Sequence, residues 1–337
     1  MEDSSVLLRS VLEERQVPSL AAAVVFGNEV RAAGAVGVRK RGDDTLVTLQ
    51  DKYHIGSCTK AMTASLAGIL VERGLLAWDS SLEAIFPDLM VHRGYRGVTL
   101  EQLLTHTGGF PANPHDDLWA AIREAKGSPQ GVRETLVLPG LLGETPDHAS
   151  GEFLYSNAGY TVAGAMLERV TGTPFEVLLT RDYFTPLGML SAGFGAPAAL
   201  GQVDHPYGHA PDPVDPGPEG DNPPAIAPAG TVHMSILDFA KHAAFHLSGE
   251  PPLLSRETLE HLHTPRVPGY AYGWGVGKVA GDLTLSHAGS NTTFFALIEL
   301  CPLKNRAIIC ATNTEPEAGE QACLAVLRRL RTYDPAA

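Results

Sequence analysis

Ser57-Cys58-Thr59-Lys60, entered through His54-Ile55-Gly56, is the stretch on which the reading of the fold turns. It is the one place in the 337 residues where a lysine stands three positions after a serine. Apolar spacing predicts a helix over 57–73 that closes at Gly74, and on a helix positions three apart share a face. The Lys60 amine would then lie one turn above the Ser57 hydroxyl. Serine is a weak nucleophile at neutral pH until a neighbouring base takes its proton, and an amine that can shed its own proton serves. The helix N-terminus adds a field that favours negative charge on the serine oxygen. With seven lysines in the chain, a chance Ser-x-x-Lys arises in roughly one such sequence in three, so the motif gains meaning only in company.

Outward from this stretch, the pattern divides the chain. Residues 4–15 have helical spacing, broken at Val17-Pro18, and 21–26 with 30–36 read as a hairpin about Gly27-Asn28. A short extended segment ends at His54. Between 76 and 200, helical segments such as 99–104 and 160–170 dominate. From His205 to Gly230 eight prolines exclude helix and central strand on this reading and predict a long loop, either bordering the site or linking the parts. Ser235-Ile236-Leu237-Asp238 reads as a capping box before a helix to about residue 247. Segments 272–279, 283–287, 293–301 and 306–312 alternate as four strands, and 316–331 as a closing helix. Strands at both ends with helices between them predict an α+β fold. In it, an antiparallel sheet from the N- and C-terminal segments is flanked by helices and carries a mostly helical inserted subdomain. The division expected is 1–75 plus 231–337 against 76–230, with the proline-rich loop at 205–230.

Composition narrows the partners. A chain of this length buries a large core and is expected to form two subdomains. Hydrophobic residues make up 44% and charged residues 19%, ordinary values for a globular protein. A net charge of −13 argues against nucleic acid or an anionic membrane as partner. The acidic N-terminus shows no secretion signal and no apolar run reaches a membrane span, so a cytoplasmic location is expected. Cys58, Cys301, Cys310 and Cys323 have neither metal-ligand nor paired spacing, so no zinc site or disulfide framework is implied. Cys58 points about 100° away from Ser57 on a helix and reads as a buried structural thiol.

Two more groups give the Ser-x-x-Lys its company. Tyr155-Ser156-Asn157 precedes a predicted helix. A tyrosine beside the pair could act as general base or return a proton to a leaving group, provided nearby cations depress its pKa from about 10. The Asn157 amide could orient the lysine and hold a substrate carbonyl. His287-Ala288-Gly289 falls at the end of a predicted strand, before Ser290 and Asn291. Glycine there admits a close backbone, and the next N–H could face an oxyanion. In this order and spacing the three groups resemble the serine β-lactamase and penicillin-binding protein superfamily. The likeness is greatest to its class C-like branch of esterases, D-amino-acid peptidases and β-lactamase-related hydrolases. Leu103-Leu104-Thr105-His106-Thr107-Gly108-Gly109, Pro186-Leu187-Gly188-Met189 and Pro228-Ala229-Gly230-Thr231 look like further landmarks of that superfamily, and the resemblance covers residues 15–330.

The resemblance implies that Ser57 is acylated, that Lys60 and Tyr155 share the proton traffic and that Asn157 orients Lys60 and substrate. It places the oxyanion between the N–H groups of Ser57 and Ser290, beside His287 and Gly289, and implies no metal and no organic cofactor. His287 departs from the lysine or arginine that many β-lactamases of the superfamily carry in the third motif. A histidine is largely neutral at pH 7, which favours small esters or amides over carboxylate-bearing β-lactams. Carboxylesterase ranks first, β-lactamase second, and D-amino-acid amidase or peptidase third. A catalytically silent binding or scaffold protein is the rival of another class. The partner expected is a small ester, amide or β-lactam, and oligomeric state is left open. His106 reads as a structural residue. His205, His209, Asp212 and Asp215 read as a flexible acidic loop rather than a metal site, and Glu152 as a poor candidate for general base. No Gly-x-Ser-x-Gly occurs, which disfavours an α/β-hydrolase nucleophile elbow.

Overall fold

In the computed structural model, which describes residues 1–333, the two ends of the chain meet in one sheet. Strands β1 (Glu2–Asp3), β2 (Ser19–Phe26) and β3 (Glu29–Gly37) come from the N-terminal segment. Strands β9 (Gly275–Val279), β10 (Asp282–Ser290), β11 (Phe295–Cys301) and β12 (Arg306–Thr312) come from the C-terminal one. The order is β1-β3-β2-β12-β11-β10-β9. Every pairing is antiparallel except that of the two-residue β1 with β3. The seam is β2 against β12, where Ala21 faces Ala311 and Phe26 faces Arg306.

Both faces of β2 are buried, and its period of two sorts the core. Ala21, Ala23 and Val25 face one cluster, with Cys58, Met62 and Phe239. Leu20, Ala22 and Val24 face a second cluster, with Leu8, Val11 and Val326. Helices α1 (Ser5–Arg15) and α6 (Pro316–Leu330) cover that second face. Leu8, Val11, Val326 and Leu330 are at most 1% exposed; at ~1.5–3 kcal/mol per buried large side chain, these contacts hold both helices down. On the first face lie α2 (Thr59–Glu72), whose residues 59–70 are all buried, and α5 (Ile236–Ser248).

The middle of the chain is mainly helical, with α3 (Leu100–Leu104) and α4 (Asn157–Thr171) as the elements that touch the site. Thr99 caps α3 with a full capping box. Buried Arg133 is the tie within this part, donating to both carboxylate oxygens of Glu168 and to Glu176. A small sheet of β4 (Lys52–His54), β8 (Val232–Ser235) and β5 (Gly193–Phe194) joins it to the main sheet's helices. Ser235 caps α5 by accepting from Asp238 N–H, but the Asp238 carboxylate turns to Ser191 and Lys241, so the expected capping box is half made.

The proline-rich segment corrects the sequence expectation. It is largely irregular, with a two-residue ribbon of β6 (Gly208–His209) and β7 (Pro213–Val214), but it ends in helix. A 3-10 turn, Pro224–Ile226, runs into the helical turn Ala227–Gly230, each with a proline in its first turn. Proline lacks only an N–H that the first turn leaves unpaired, so density of prolines does not forbid helix there. Among the described residues no helix is long and apolar enough to cross a membrane.

Candidate active site

Strand β4 delivers the chain to the site. After His54 and Ile55 the backbone turns at Gly56 (φ +49°), makes a 3-10 turn over Gly56–Cys58 and enters α2 at Thr59. Ser57 thus sits in the turn rather than in the helix proper, still at its N-terminal end. Two glycines let this turn meet β10. A Cβ on Gly56 would stand 2.2 Å from the Ser290 nitrogen, and one on Gly289 would stand 2.5 Å from the Ser57 nitrogen and 2.1 Å from the Ile55 oxygen. The backbone N–H groups of Ser57 and Ser290 are neighbours only because neither glycine carries a side chain.

Lys60 is wholly buried, and its amine makes three contacts: Ser57 Oγ at 3.0 Å, Asn157 Oδ1 at 2.7 Å and the Ala229 carbonyl at 2.8 Å. Burial pushes its pKa down from 10.5 to about 7, against the Cys58 charge. A neutral amine has two N–H groups and one lone pair. Asn157 Oδ1 and the Ala229 oxygen can only accept, so they take both N–H groups and the lone pair is left facing the Ser57 hydroxyl. The Asn157 amide is oriented in turn, since its Nδ2 donates to Asn113 Oδ1 at 2.8 Å. Asn157 begins α4, three residues earlier than the predicted helix, because Ser156 is its N-cap and accepts from Gly159 N–H at 2.8 Å.

Tyr155 lies against the same pair. The Lys60 amine sits over its ring, 4.7 Å from the centroid. Burial pushes the phenol well above its ordinary range, with the hydrogen bond to Ser57 opposing. The expectation that neighbouring cations would depress this pKa is therefore corrected. Among the described residues the close cation is the Lys60 amine, itself held near neutrality, and desolvation of the phenolate prevails. Tyr155 is a neutral phenol at the site, able to hand on a proton but not to start as a base.

The third motif falls in the last residues of its strand, as expected, but β10 runs on past the expected end at His287, through Gly289 to Ser290. Burial pushes the His287 imidazole down to about 4, with the Lys60 charge acting in the same direction. Its Nδ1 lies 2.6 Å from the Ala288 carbonyl. A cleft of about 450 Å³ opens here, lined by Ser57, Tyr155, Tyr270, His287, Ala288 and Ser290 among others, with no lysine or arginine among the described residues of its lining.

Several contributors are absent from the sequence reading. Tyr270 lies 3.0 Å from His106 Nε2, and His106 Nδ1 accepts from the Ser156 N–H at 2.9 Å. His106, held at φ +61°, therefore braces the loop that carries Tyr155. His54 Nδ1 accepts from Gly56 N–H at 3.1 Å, which leaves its Nε2 proton towards Asp221 Oδ1, 3.1 Å away but off the straight line of a hydrogen bond. Burial raises the Asp221 carboxyl, yet His54 and Asn291 outweigh it and hold the group below its ordinary range. Asn291 Nδ2 donates to the same oxygen at 2.9 Å, and Asn222 Nδ2 donates to the Gly230 carbonyl at 2.7 Å. The end of the proline-rich segment thus ties the nucleophile turn, the residue after Ser290 and the carbonyl turn that orients Lys60. The structural role expected of His106 and the site-bordering reading of the proline-rich loop agree with this arrangement, whereas the partners Tyr270, Asp221 and Asn222 carried no signal of their own.

The remaining candidates stand apart. Cys58 is buried, with Sγ towards the His287 and Ala296 carbonyls. Glu152 is exposed, 3.9 Å from His148. The flexible-loop reading fails for His205 and His209. His205 meets Asp51, while His209 is buried between Arg41 N–H and the Asn313 carbonyl. Among the described residues, no group of three His, Cys, Asp or Glu is placed to hold a metal ion.

A sheet built from both chain ends, with a serine and a buried lysine at its junction with the helical part, is the arrangement of the β-lactamase fold. The chain belongs to the Beta-lactamase family, whose profile matches residues 7–331. The unguisins hydrolase ungD' of Aspergillus campestris is 24% identical over 342 residues, which cover 93% of this chain and 61% of that protein's length. Penicillin-binding protein 4 of Amycolatopsis lactamdurans is 26% identical over 321 residues, covering 89% and 82%. An octameric penicillin-binding protein homologue from Pyrococcus abyssi superposes with a TM-score of 0.76 at 23% identity, over 98% of this chain and 77% of that one. SurE superposes with a TM-score of 0.80 at 21% identity, over 97% and 74%. These structural likenesses speak for the fold.

Proposed function

We propose that the chain hydrolyses small, uncharged esters or amides by acyl transfer through Ser57, with carboxylesterase-type substrates first. Neutral Lys60 takes the Ser57 proton as Oγ bonds to the substrate carbonyl carbon. The resulting oxyanion lies between the Ser57 and Ser290 N–H groups. As the tetrahedral adduct collapses, the bond to the leaving group breaks and Tyr155 relays the proton from Lys60 to it. Water then attacks the acyl-enzyme, giving its proton back through the same groups and freeing Ser57 and a carboxylic acid. The observation that carries this reading is the Lys60 amine, 3.0 Å from Ser57 Oγ with its two N–H groups engaged elsewhere. The preference for uncharged substrates rests on a cleft with no lysine or arginine in its lining.

β-Lactams stand second and D-amino-acid amides third, the latter supported by a relative named as a penicillin-binding protein and by SurE solved with D-Leu. A panel of short-chain p-nitrophenyl esters, nitrocefin and D-alanine amide separates the three. Turnover of the esters that vanishes in Ser57→Ala supports the proposal. Equal turnover in the variant overturns it by placing the chemistry on another residue, and no turnover of any member overturns it in favour of a silent binding protein.

A further inference from the structure

The hydrogen bonds around His287 have a direction that can be worked out from their two ends. At one end the Ser156 N–H can only donate, so His106 Nδ1 is an acceptor. Burial, aided by the Lys60 and His287 charges, keeps the His106 ring neutral. Its proton is then on Nε2 and points to the Tyr270 oxygen, 3.0 Å away. Tyr270 must send its own proton elsewhere. Tyr160, packed beside it, gives its own proton to the Leu104 carbonyl at 2.7 Å, so its oxygen is one acceptor open to the Tyr270 proton. At the other end the Ala288 carbonyl can only accept, so His287 carries its proton on Nδ1, 2.6 Å from that oxygen. Its Nε2 is a bare lone pair, 3.4 Å from the Tyr270 hydroxyl.

We propose that Tyr270 sets the charge preference of the cleft, because its phenolic proton occupies His287 Nε2 and leaves the third-motif ring no N–H to offer a substrate carboxylate. The inference rests on the acyl-transfer reading and deepens it. A carboxylate entering the cleft meets a ring whose one proton is held by its own strand and whose other nitrogen is capped. It meets no lysine or arginine in the lining, and the Lys60 amine is occupied by Ser57, Asn157 and Ala229. Anionic substrates would have to be stripped of water without a counter-charge, which is costly. Tyr270 is a specificity-determining residue that acts through His287. Removing its hydroxyl uncovers Nε2, which can then take a proton and donate to the carboxylate.

The test compares matched substrates on wild type and Tyr270→Phe at one pH near 7. p-Nitrophenyl butyrate is paired with mono-p-nitrophenyl succinate, which puts the charge on the acyl side. Phenyl butyrate is paired with 3-carboxyphenyl butyrate, which puts it on the leaving side. The expected result is a rise of about tenfold in the anionic-to-neutral ratio of kcat/KM for one pair, lost again in Tyr270→Phe/His287→Ala. A ratio within twofold of wild type in both pairs, with neutral turnover retained, overturns the proposal. Should Tyr270→Phe fail to fold or lose all turnover, histidine ring tautomers in the wild-type protein decide. Long-range ¹H–¹⁵N correlation, assigned with His287→Gln, is expected to show His287 protonated on Nδ1 and His106 on Nε2. The opposite tautomer at His287 overturns the proposal. Wild type inert towards the neutral esters would instead count against the acyl-transfer reading, with the tautomers still judging the inference.

Discussion

Gly289→Ala tests the oxyanion geometry with a single methyl group. The added Cβ would stand 2.1 Å from the Ile55 oxygen, 2.5 Å from the Ser57 nitrogen and 2.8 Å from the Cys58 nitrogen, all backbone atoms that cannot swing aside. Bringing the shortest contact out to ordinary van der Waals distance parts β10 from the nucleophile turn by about 1.3 Å, and a misplacement of about 1 Å can cost on the order of 100-fold in rate. Losing one oxyanion donor costs about 100- to 1000-fold by itself, so a fall in that range is expected for acylation. Forcing a methyl group into packed backbone also lowers stability by about 1–3 kcal/mol. Gly143→Ala, at a site with open space around the added methyl, is the control and should leave the rate alone. The assay is the pre-steady-state burst of p-nitrophenol from p-nitrophenyl acetate, alongside a thermal melt. A folded Gly289→Ala with a burst rate within twofold of wild type would refute the argument that the bare backbone at Gly289 creates the oxyanion site.

Activity should rise with pH through about 7, where Lys60 sheds its proton, as read from single-turnover acylation; a flat profile from pH 5.5 to 8.5 contradicts a lysine base. Between that value and 10.5 the unfolded chain binds the extra proton, so stability should also rise with pH across this window, and Lys60→Met should flatten the rise. His242, His246 and His263 form a buried cluster with Tyr183, and desolvation holds all three rings below their ordinary pKa, to about 3 for His242 and about 4 for His263. Their neutral forms contribute stability that is fully present above about 6.5 and is lost as pH falls towards 4, at up to ~1.4 kcal/mol per pH unit for each ring. Urea midpoints against pH should show that slope, and His263→Phe should reduce it. Arg133→Met strands the Glu168 and Glu176 carboxylates, Glu168 deeply buried, and should cost about 3–5 kcal/mol in urea unfolding, far more than an exposed pair such as Arg256–Glu260.

The local part of this design was open to reading from sequence. A serine and a lysine three apart share a helix face whatever surrounds them, and alternation in the last third of the chain marks β10 to β12. What escaped depends on distance along the chain. His106 meets Tyr270 across 164 positions, and Asp221 meets His54 from a proline-rich segment that showed no periodicity. For Tyr155 the sequence left base and proton donor both open, because a residue's type does not reveal how much water its oxygen keeps. The prolines misled in another way: their effect depends on whether they fall in a first turn, as Pro224 and Pro228 do.

On the proposed mechanism one serine hydroxyl becomes nucleophilic because a desolvated amine stands ready to receive its proton. Intact and peptide mass spectrometry after brief exposure to a fluorophosphonate measures this directly. One adduct per chain is expected, on the peptide carrying Ser57, formed at least about 100-fold more slowly in Lys60→Ala, the scale of a lost general base. An adduct on another residue, or equal labelling with and without the lysine, would contradict it.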